Sequence, residues 1–155
     1  MPAESARRVE VTRPTTIGKG ATVTFVVLRV VGGGLLATNA GVHAYLWQAG
    51  YRTIPTIGLL FLLDVIGASV LVIAVLLSPR GILPVVAAAG ALLELGTAGG
   101  LLLATRHSLF GFMESSRATL YQQSLVTELA GAVALALLAL LAVHNARSGA
   151  STRRW

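Results

Sequence analysis

Four residues that can carry charge or exchange protons interrupt otherwise apolar stretches of this chain. They are His43, Asp64, Glu94 and Glu128, and each lies in a different stretch. A charged side chain at the centre of a bilayer costs at least ~2.5 to 3.5 kcal/mol, so each is expected to face neighbouring helices and a partner. One imidazole and three carboxyl groups can bind a polar molecule, pass protons or ligate a metal ion.

The composition of the chain places these residues in a membrane. Of the 155 residues, 55% are hydrophobic and only 12% are charged, and the mean hydropathy is +0.78. Soluble domains carry roughly 25% charged residues, and disordered chains combine low hydrophobicity with high net charge. Neither class fits, and we expect an integral membrane protein. Cysteine is absent, which excludes disulfides and thiol chemistry.

Four apolar stretches are long enough to cross a bilayer as helices, which takes about 20 residues. They run over 25–47, 56–77, 82–104 and 125–144. The second and third are separated only by residues 78–81, which include a proline and a glycine and must form a tight antiparallel hairpin. The sequence therefore predicts an all-α, up-down-up-down four-helix bundle over 21–146, with a flexible basic tail at 1–20 and a second tail at 147–155.

Basic residues predict the orientation of this bundle. The side with the two tails and the short turn holds eight, namely Arg7, Arg8, Arg13, Lys19, Arg80, Arg147, Arg153 and Arg154. The opposite side holds Arg52, Arg106 and Arg117. By the positive-inside rule, both termini are expected in the cytoplasm of a bacterial plasma membrane. The net charge of +6 is then directed at lipid headgroups and not at nucleic acid.

Two further features follow from this orientation. Arg29, near the inner end of the first span, is expected to reach the inner headgroups or a helix end. Aromatic side chains are expected to form a belt at the outer interface; they are Tyr45, Trp47 and Tyr51.

The outer connection at 105–124 is the only long one. Its segment 108–113 is apolar enough to lie among headgroups, and 116–123, which lacks proline and glycine, is predicted to extend the fourth helix outward. His107 and Glu114 also lie in this connection. They either cap a cavity below them or simply face water, and the second interpretation is favoured.

The four ionisable residues are predicted to lie at similar depths. At about 1.5 Å per residue, His43 and Glu128 fall roughly 5 Å below the outer end of their spans. Asp64 falls about 12 Å and Glu94 about 15 Å below it. All four lie in the outer half and are expected to converge on one cavity open to the extracytoplasmic side. Asn39, four residues before His43, is expected to bond to it. The alternative is that these groups only hydrogen-bond across helices and fix their packing.

Small residues within the spans are expected to let helix backbones approach, because lipid provides no hydrophobic force between helices. The glycines predicted to do so are Gly33, Gly67, Gly90, Gly96, Gly100 and Gly131. Gly96 and Gly100 have GxxxG spacing, for which internal packing is favoured over a dimer seam.

Metal and haem sites have little support in the spacing of ligands. His43, Asp64, Glu94 and Glu128 are the candidate metal ligands, but the Glu-x-x-His pairs of di-iron bundles are absent. The other histidines lie in the outer loop and at the inner end of the last span, which argues against haem. Nucleotide-binding, hydrolase and metalloprotease motifs are also absent, so the sequence favours a role without catalysis.

The stretch 43–63, HAYLWQAGYRTIPTIGLLFLL, resembles small four-span membrane proteins of actinobacterial type. The overall layout also resembles the DoxX-like four-helix family: an arginine opens the first span, glycines and a polar residue follow, and a helical hairpin comes next. This resemblance implies an accessory role in quinone-linked redox chemistry of the membrane. It assigns no functional residue here.

The sequence leaves three functions open. The first is an accessory or scaffold subunit that associates, with itself or with a larger membrane complex, through glycine-rich faces. The second is an outward-facing pocket, built by the four ionisable residues, for a quinone, a lipid-like small molecule or a metal. The third is a proton-coupled transporter, which the absence of repeats and broken helices disfavours.

Overall fold

The structure, a computed structural model, describes residues 19–151. It contains four long helices and one turn of 3-10 helix at Tyr51–Thr53. The helices are α1 (Lys19–Ala49), α2 (Ile57–Leu77), α3 (Leu83–Arg106) and α4 (Tyr121–Ser151). Each is long and apolar enough to cross a membrane, which confirms the predicted four-helix bundle. Residues 1–18 and 152–155, which hold most of the two predicted tails, lie outside the described residues.

The first and last helices, α1 and α4, are longer than the predicted spans. Helix α1 begins at Lys19 and not at residue 25, and α4 continues past residue 144 to Ser151. Each has 31 residues, or about 46 Å at ~1.5 Å per residue, against a hydrocarbon core of about 30 Å. Hydropathy marks where a helix leaves the apolar layer, whereas the backbone stays helical for as long as its hydrogen bonds continue.

Arg29 ties α1 to the end of α2. Its Nε donates to the carbonyl of Val75 at 2.5 Å, and its Nη2 donates to the carbonyl of Ser78. These carbonyls lie in the last turn and at the C-cap of α2, where no intrahelical donor remains for them. Of the two predicted partners for Arg29, the structure shows the helix end.

Small residues let neighbouring helices approach each other. A Cβ added to Gly33 would lie 3.0 Å from Leu76 of α2, and one added to Gly90 would lie 3.0 Å from Leu135 of α4. A Cβ added to Gly131 would also lie 3.0 Å from Glu94. One added to Gly67 would make an ordinary contact with Leu93 at 3.8 Å. The apolar core beside them consists of Leu36, Ala40, Ala68, Val75, Leu83, Ala87, Ala91, Leu135 and Leu138.

Gly96 and Gly100 do not pack as predicted. A Cβ at either position would meet no atom within 4 Å in the described part of the chain. The physical reason is that α2 and α3, although consecutive, pack far less closely than α1 with α2 or α3 with α4. The internal-packing interpretation of this GxxxG pair is therefore wrong, and both glycines border an open gap.

The outer connection folds differently from the prediction. Residues 116–120 form turns, and α4 begins only at Tyr121, because Leu120 has a positive φ of 65° that a helix does not permit. A tight turn pairs Leu109 with Phe112 in both directions, at 2.7 and 2.9 Å. The amide of Glu114 then donates to the carbonyl of Ala104 at 2.9 Å, which folds the loop back onto α3.

Candidate ligand cavity

His43 lies between two carboxyl groups from other helices. Its Nδ1 is 3.3 Å from Oδ2 of Asp64, and its Nε2 is 3.8 Å from Oε1 of Glu128. All three side chains are buried. The convergence of His43, Asp64 and Glu128 that their depths predicted is present, and it joins α1, α2 and α4.

Asn39 joins this cluster in a way that the sequence did not indicate. Its side-chain Nδ2 lies 3.3 and 3.5 Å from the two carboxyl oxygens of Asp64, and not against the His43 ring. The His43 ring instead bonds through Nδ1 to the backbone carbonyl of Asn39 at 3.1 Å. In the tautomer that carries its proton on Nδ1, the ring donates this hydrogen bond to the carbonyl oxygen.

Glu94 occupies a different place from the other three. Its side chain is fully buried, and neither carboxyl oxygen has a hydrogen-bond partner among the described residues. The carboxyl group packs against Gly131, and Gly90, Ala91 and Ala98 on the same face of α3 are buried with it. Glu94 therefore lies behind the cluster, at the α3–α4 contact.

A cavity of about 410 Å³ opens beside His43, Asp64 and Glu128, which form its polar part. Most of the remaining wall is apolar and is supplied by α2, α3, the outer loop and the first turns of α4. Other side chains that line the cavity include Leu46, Ile57, Phe61, Leu93, Thr97, Leu101, Leu109, Phe112, Glu114 and Tyr121. Gly96 and Gly100 also border it, so the missing side chains of the GxxxG pair make room here.

The cavity is open sideways, between α2 and α3. The sequence predicted an opening at the outer end, but residues of the outer loop form part of the cavity wall there. Its lining includes Leu60 and Leu63 of α2 and Leu92 of α3. Their side chains are 43%, 55% and 69% exposed, and all three lie within helices that can cross a membrane. Exposed apolar side chains on helices that span a membrane face lipid, so the opening leads to the hydrocarbon layer.

A row of aromatic rings leads from the cluster to the loop. The ring of Phe61 lies 4.9 Å from His43 and 4.7 Å from Tyr51, and Tyr51 lies 5.8 Å from Phe112. The Tyr51 hydroxyl donates to Oε2 of Glu114 at 2.5 Å. Burial, and then the hydrogen bond and negative charge of Glu114, raise the pKa of Tyr51 above its ordinary value. The two residues close the outer end of the cavity.

Other predicted residues fall away from this site. His107 is exposed and does not line the cavity, whereas Glu114, from the same loop, does. Tyr45 is 56% exposed, as an interfacial residue should be, but Tyr51 turns inward.

Within residues 19–151, no three histidine, aspartate or glutamate side chains group as metal ligands. The candidate set of His43, Asp64, Glu94 and Glu128 thus has no metal-binding geometry here.

No protein-family model, curated protein or solved structure matches this chain. The geometry of the cavity and its polar cluster is therefore what indicates a function.

Sequence reasoning missed the aromatic and loop residues of the cavity. The sequence analysis gave no role to Phe61, Thr97 or Tyr121, and it placed Phe112 in a segment expected to lie among headgroups. Two signals were present, because Phe61 lies three residues before Asp64 and Thr97 three residues after Glu94. On a helix such residues share a face.

Proposed function

We propose that this protein binds a small amphiphilic molecule, which enters from the lipid between α2 and α3. One observation carries the proposal: an apolar cavity that opens toward lipid ends on buried polar groups of three helices. Small-molecule sites in proteins typically measure about 300 to 1,000 Å³ and combine apolar walls with a few convergent polar groups. The volume of about 410 Å³ and the His43–Asp64–Glu128 cluster fit that description.

The orientation predicted from the basic residues gives this proposal a direction. With both termini in the cytoplasm, the cavity lies in the outer half of a bacterial plasma membrane, below the Tyr51–Glu114 contact. A molecule dissolved in the outer leaflet then reaches the cluster without crossing the membrane. Its apolar part lies between α2 and α3, and its polar end meets His43 and Glu128.

Photolabelling of the purified protein in phosphatidylcholine nanodiscs tests this function. The probe is a diazirine-bearing hexadecanol, a neutral long-chain alcohol. Trypsin releases the outer loop as peptide 107–117, between Arg106 and Arg117, which contains the lining residues Leu109, Phe112 and Glu114. We expect saturable labelling of this peptide, and its loss when the cavity is filled.

Glycines on α3 provide a matched pair of variants. Gly100→Leu places a side chain in the cavity, whereas Gly99→Leu, one residue away, also meets no atom within 4 Å but does not line the cavity. We expect Gly100→Leu to abolish saturable labelling and Gly99→Leu to retain it. Equal labelling of the two variants would show that the probe reaches the loop through bulk lipid, which would refute the proposal.

An accessory role remains a second candidate because small residues are exposed on α1. Gly34, Ala37, Thr38 and Gly41 form an exposed stripe, and Cβ atoms added to the two glycines would meet nothing within 4 Å. Small residues at an exposed helix face permit close approach of another helix. The absence of native cysteine makes the test direct: a single Gly41→Cys chain should crosslink in the membrane, and a Val70→Cys chain, on an exposed face of α2, should not.

A further inference from the structure

The ionisable side chains around the cavity are acidic, apart from His43. Within residues 19–151, all the acidic residues lie at this site: Asp64, Glu114 and Glu128 line the cavity, and Glu94 lies behind them. The lining contains no lysine or arginine. Arg52, Arg106 and Arg117 lie at the same end of the bundle, but their side chains are exposed. In their ionised form these carboxyl groups attract a cation and repel an anion, and a cation bound beside them favours that form.

The unused hydrogen-bonding atoms of the site are all acceptors. Oε2 of Glu128, both carboxyl oxygens of Glu94 and Oδ1 of Asn39 are buried without a partner among the described residues. No buried side-chain donor in that part of the chain is left in the same state. A buried acceptor without a partner is costly, and a ligand that brings a donor removes that cost. Of these groups, Glu128 lines the cavity and is only 1% exposed.

We infer that the molecule bound here is an organic cation, a protonated amine that carries an apolar body. This inference rests on the proposed function and adds the chemical class of its ligand. The ammonium group donates to Oε2 of Glu128, with Asp64 as the second nearby carboxyl group of the wall. The ring of Phe61 lies 4.9 Å from the His43 ring in the same wall, and aromatic faces attract cations.

The same features disfavour two other ligand classes. An oxidised quinone offers only carbonyl acceptors, which would face the unpaired oxygens of Glu128. A fatty acid would bring a further negative charge to a wall that already holds Asp64, Glu114 and Glu128. An alcohol supplies a donor but no charge, so it tests how much the charge contributes.

Competition against the photolabel measures this preference. Dodecylamine, dodecanol and dodecanoate share one chain and differ in charge, and each is titrated against labelling of peptide 107–117 in phosphatidylcholine nanodiscs. Concentrations are corrected for the measured partition of each probe into protein-free nanodiscs. We expect dodecylamine to displace the label at a concentration about tenfold below that of dodecanol, as an added charge-assisted hydrogen bond implies. Dodecanoate should be the weakest competitor.

Charge-neutral variants show whether the preference comes from the cluster. Glu128→Gln is expected to bring the dodecylamine-to-dodecanol ratio close to one, and Asp64→Asn to lower it. Asp64→Asn is also the variant to use if Glu128→Gln does not fold. Arg147→Gln, a charge change of the same size and opposite sign on an exposed residue at the other end of α4, should leave the ratio unchanged.

The outcomes separate this inference from the function on which it rests. Equal potency of dodecylamine and dodecanol, or stronger competition by dodecanoate, overturns the cation but leaves an amphiphile site in place. A preference that survives both Glu128→Gln and Asp64→Asn places the cation elsewhere and also overturns the inference. Labelling that does not respond to Gly100→Leu refutes the proposed function itself.

Discussion

Glu94 and Gly131 are in direct contact where α3 meets α4: a Cβ placed on Gly131 would lie 3.0 Å from both Cδ and Oε1 of the Glu94 carboxyl group. Glu94 has no exposed surface, so its carboxyl group has little room to move aside. The glycine is therefore required by this glutamate, not only by the approach of two helices.

Gly131→Ala is expected to destabilise the protein. Overpacking of a buried site costs typically 1 to 3 kcal/mol, partly offset by about 1 kcal/mol of improved helix propensity, so a net loss of up to about 2 kcal/mol follows. Gly99→Ala, where nothing lies within 4 Å, should raise stability slightly. Thermal unfolding in one detergent compares the two. Gly131→Ala is also measured in a chain that carries Glu94→Ala. If it lowers the stability of that chain as much as that of the wild type, the contact with Glu94 does not cause the loss of stability.

His43→Ala is expected to be among the most destabilising single changes. It leaves the carboxyl groups of Asp64 and Glu128 buried without the imidazole that lies between them, and a buried polar group left without its partner costs about 1 to 3 kcal/mol. The control is Tyr45→Ala on the same helix, since Tyr45 is 56% exposed and exposed positions change stability by about 0.5 kcal/mol or less. Similar unfolding temperatures for the two variants would contradict the cluster.

Arg29→Ala is expected to loosen the inner end of the bundle. The change leaves the carbonyls of Val75 and Ser78 without this donor, at a cost of about 1 to 3 kcal/mol. Arg29→Lys should recover only part of it, because an ammonium lacks the fork of guanidinium donors. Arg80→Ala removes an exposed charge beside the same turn and should have little effect. Hydrogen exchange of the last turn of α2 is the local readout.

The raised pKa of Tyr51 is expected to make the folded protein less stable at alkaline pH. Its pKa in the folded protein is raised above the ordinary value of 10.0, so the stabilisation it provides is complete below pH 10 and declines as pH rises toward the folded-state value. Chemical denaturation between pH 8 and 11 should show a steeper decline for the wild type than for Tyr51→Phe. Glu114→Gln should shift ionisation of Tyr51, followed by absorbance at 295 nm, to lower pH. Identical pH profiles for all three would exclude this contact.

Hydropathy and charge determined the architecture from the sequence alone. A run of about 20 apolar residues has one stable arrangement in lipid, a helix, because its backbone groups have no other partners. Four such runs with a short turn between the second and third leave an antiparallel bundle. The depth of each ionisable residue follows from counting along its helix, and it predicted that all four converge on one cavity. His43, Asp64 and Glu128 do line it, whereas Glu94 lies behind them.

The inner faces of individual helices were equally accessible. The three-four spacing places one face of α1 at Arg29, Gly33, Leu36, Ala40, His43 and Trp47. Gly33, Leu36, Ala40 and His43 are buried, and Arg29 and Trp47 are half-buried. That pattern is a property of one helix. It names the residues that face inward, but not the helix or side chain that each one meets.

Only the tertiary structure decided which neighbours meet. It directs Asn39 to Asp64, sets Glu94 behind the cluster against Gly131, and separates α2 from α3 so that Gly96 and Gly100 border a cavity. These contacts depend on how the surfaces of all four helices pack together. Rotating one helix by a single residue position changes all the contacts that this helix makes. Periodicity and hydropathy describe each helix alone, and for that reason the sequence predicts the polar cluster but not the cavity beside it.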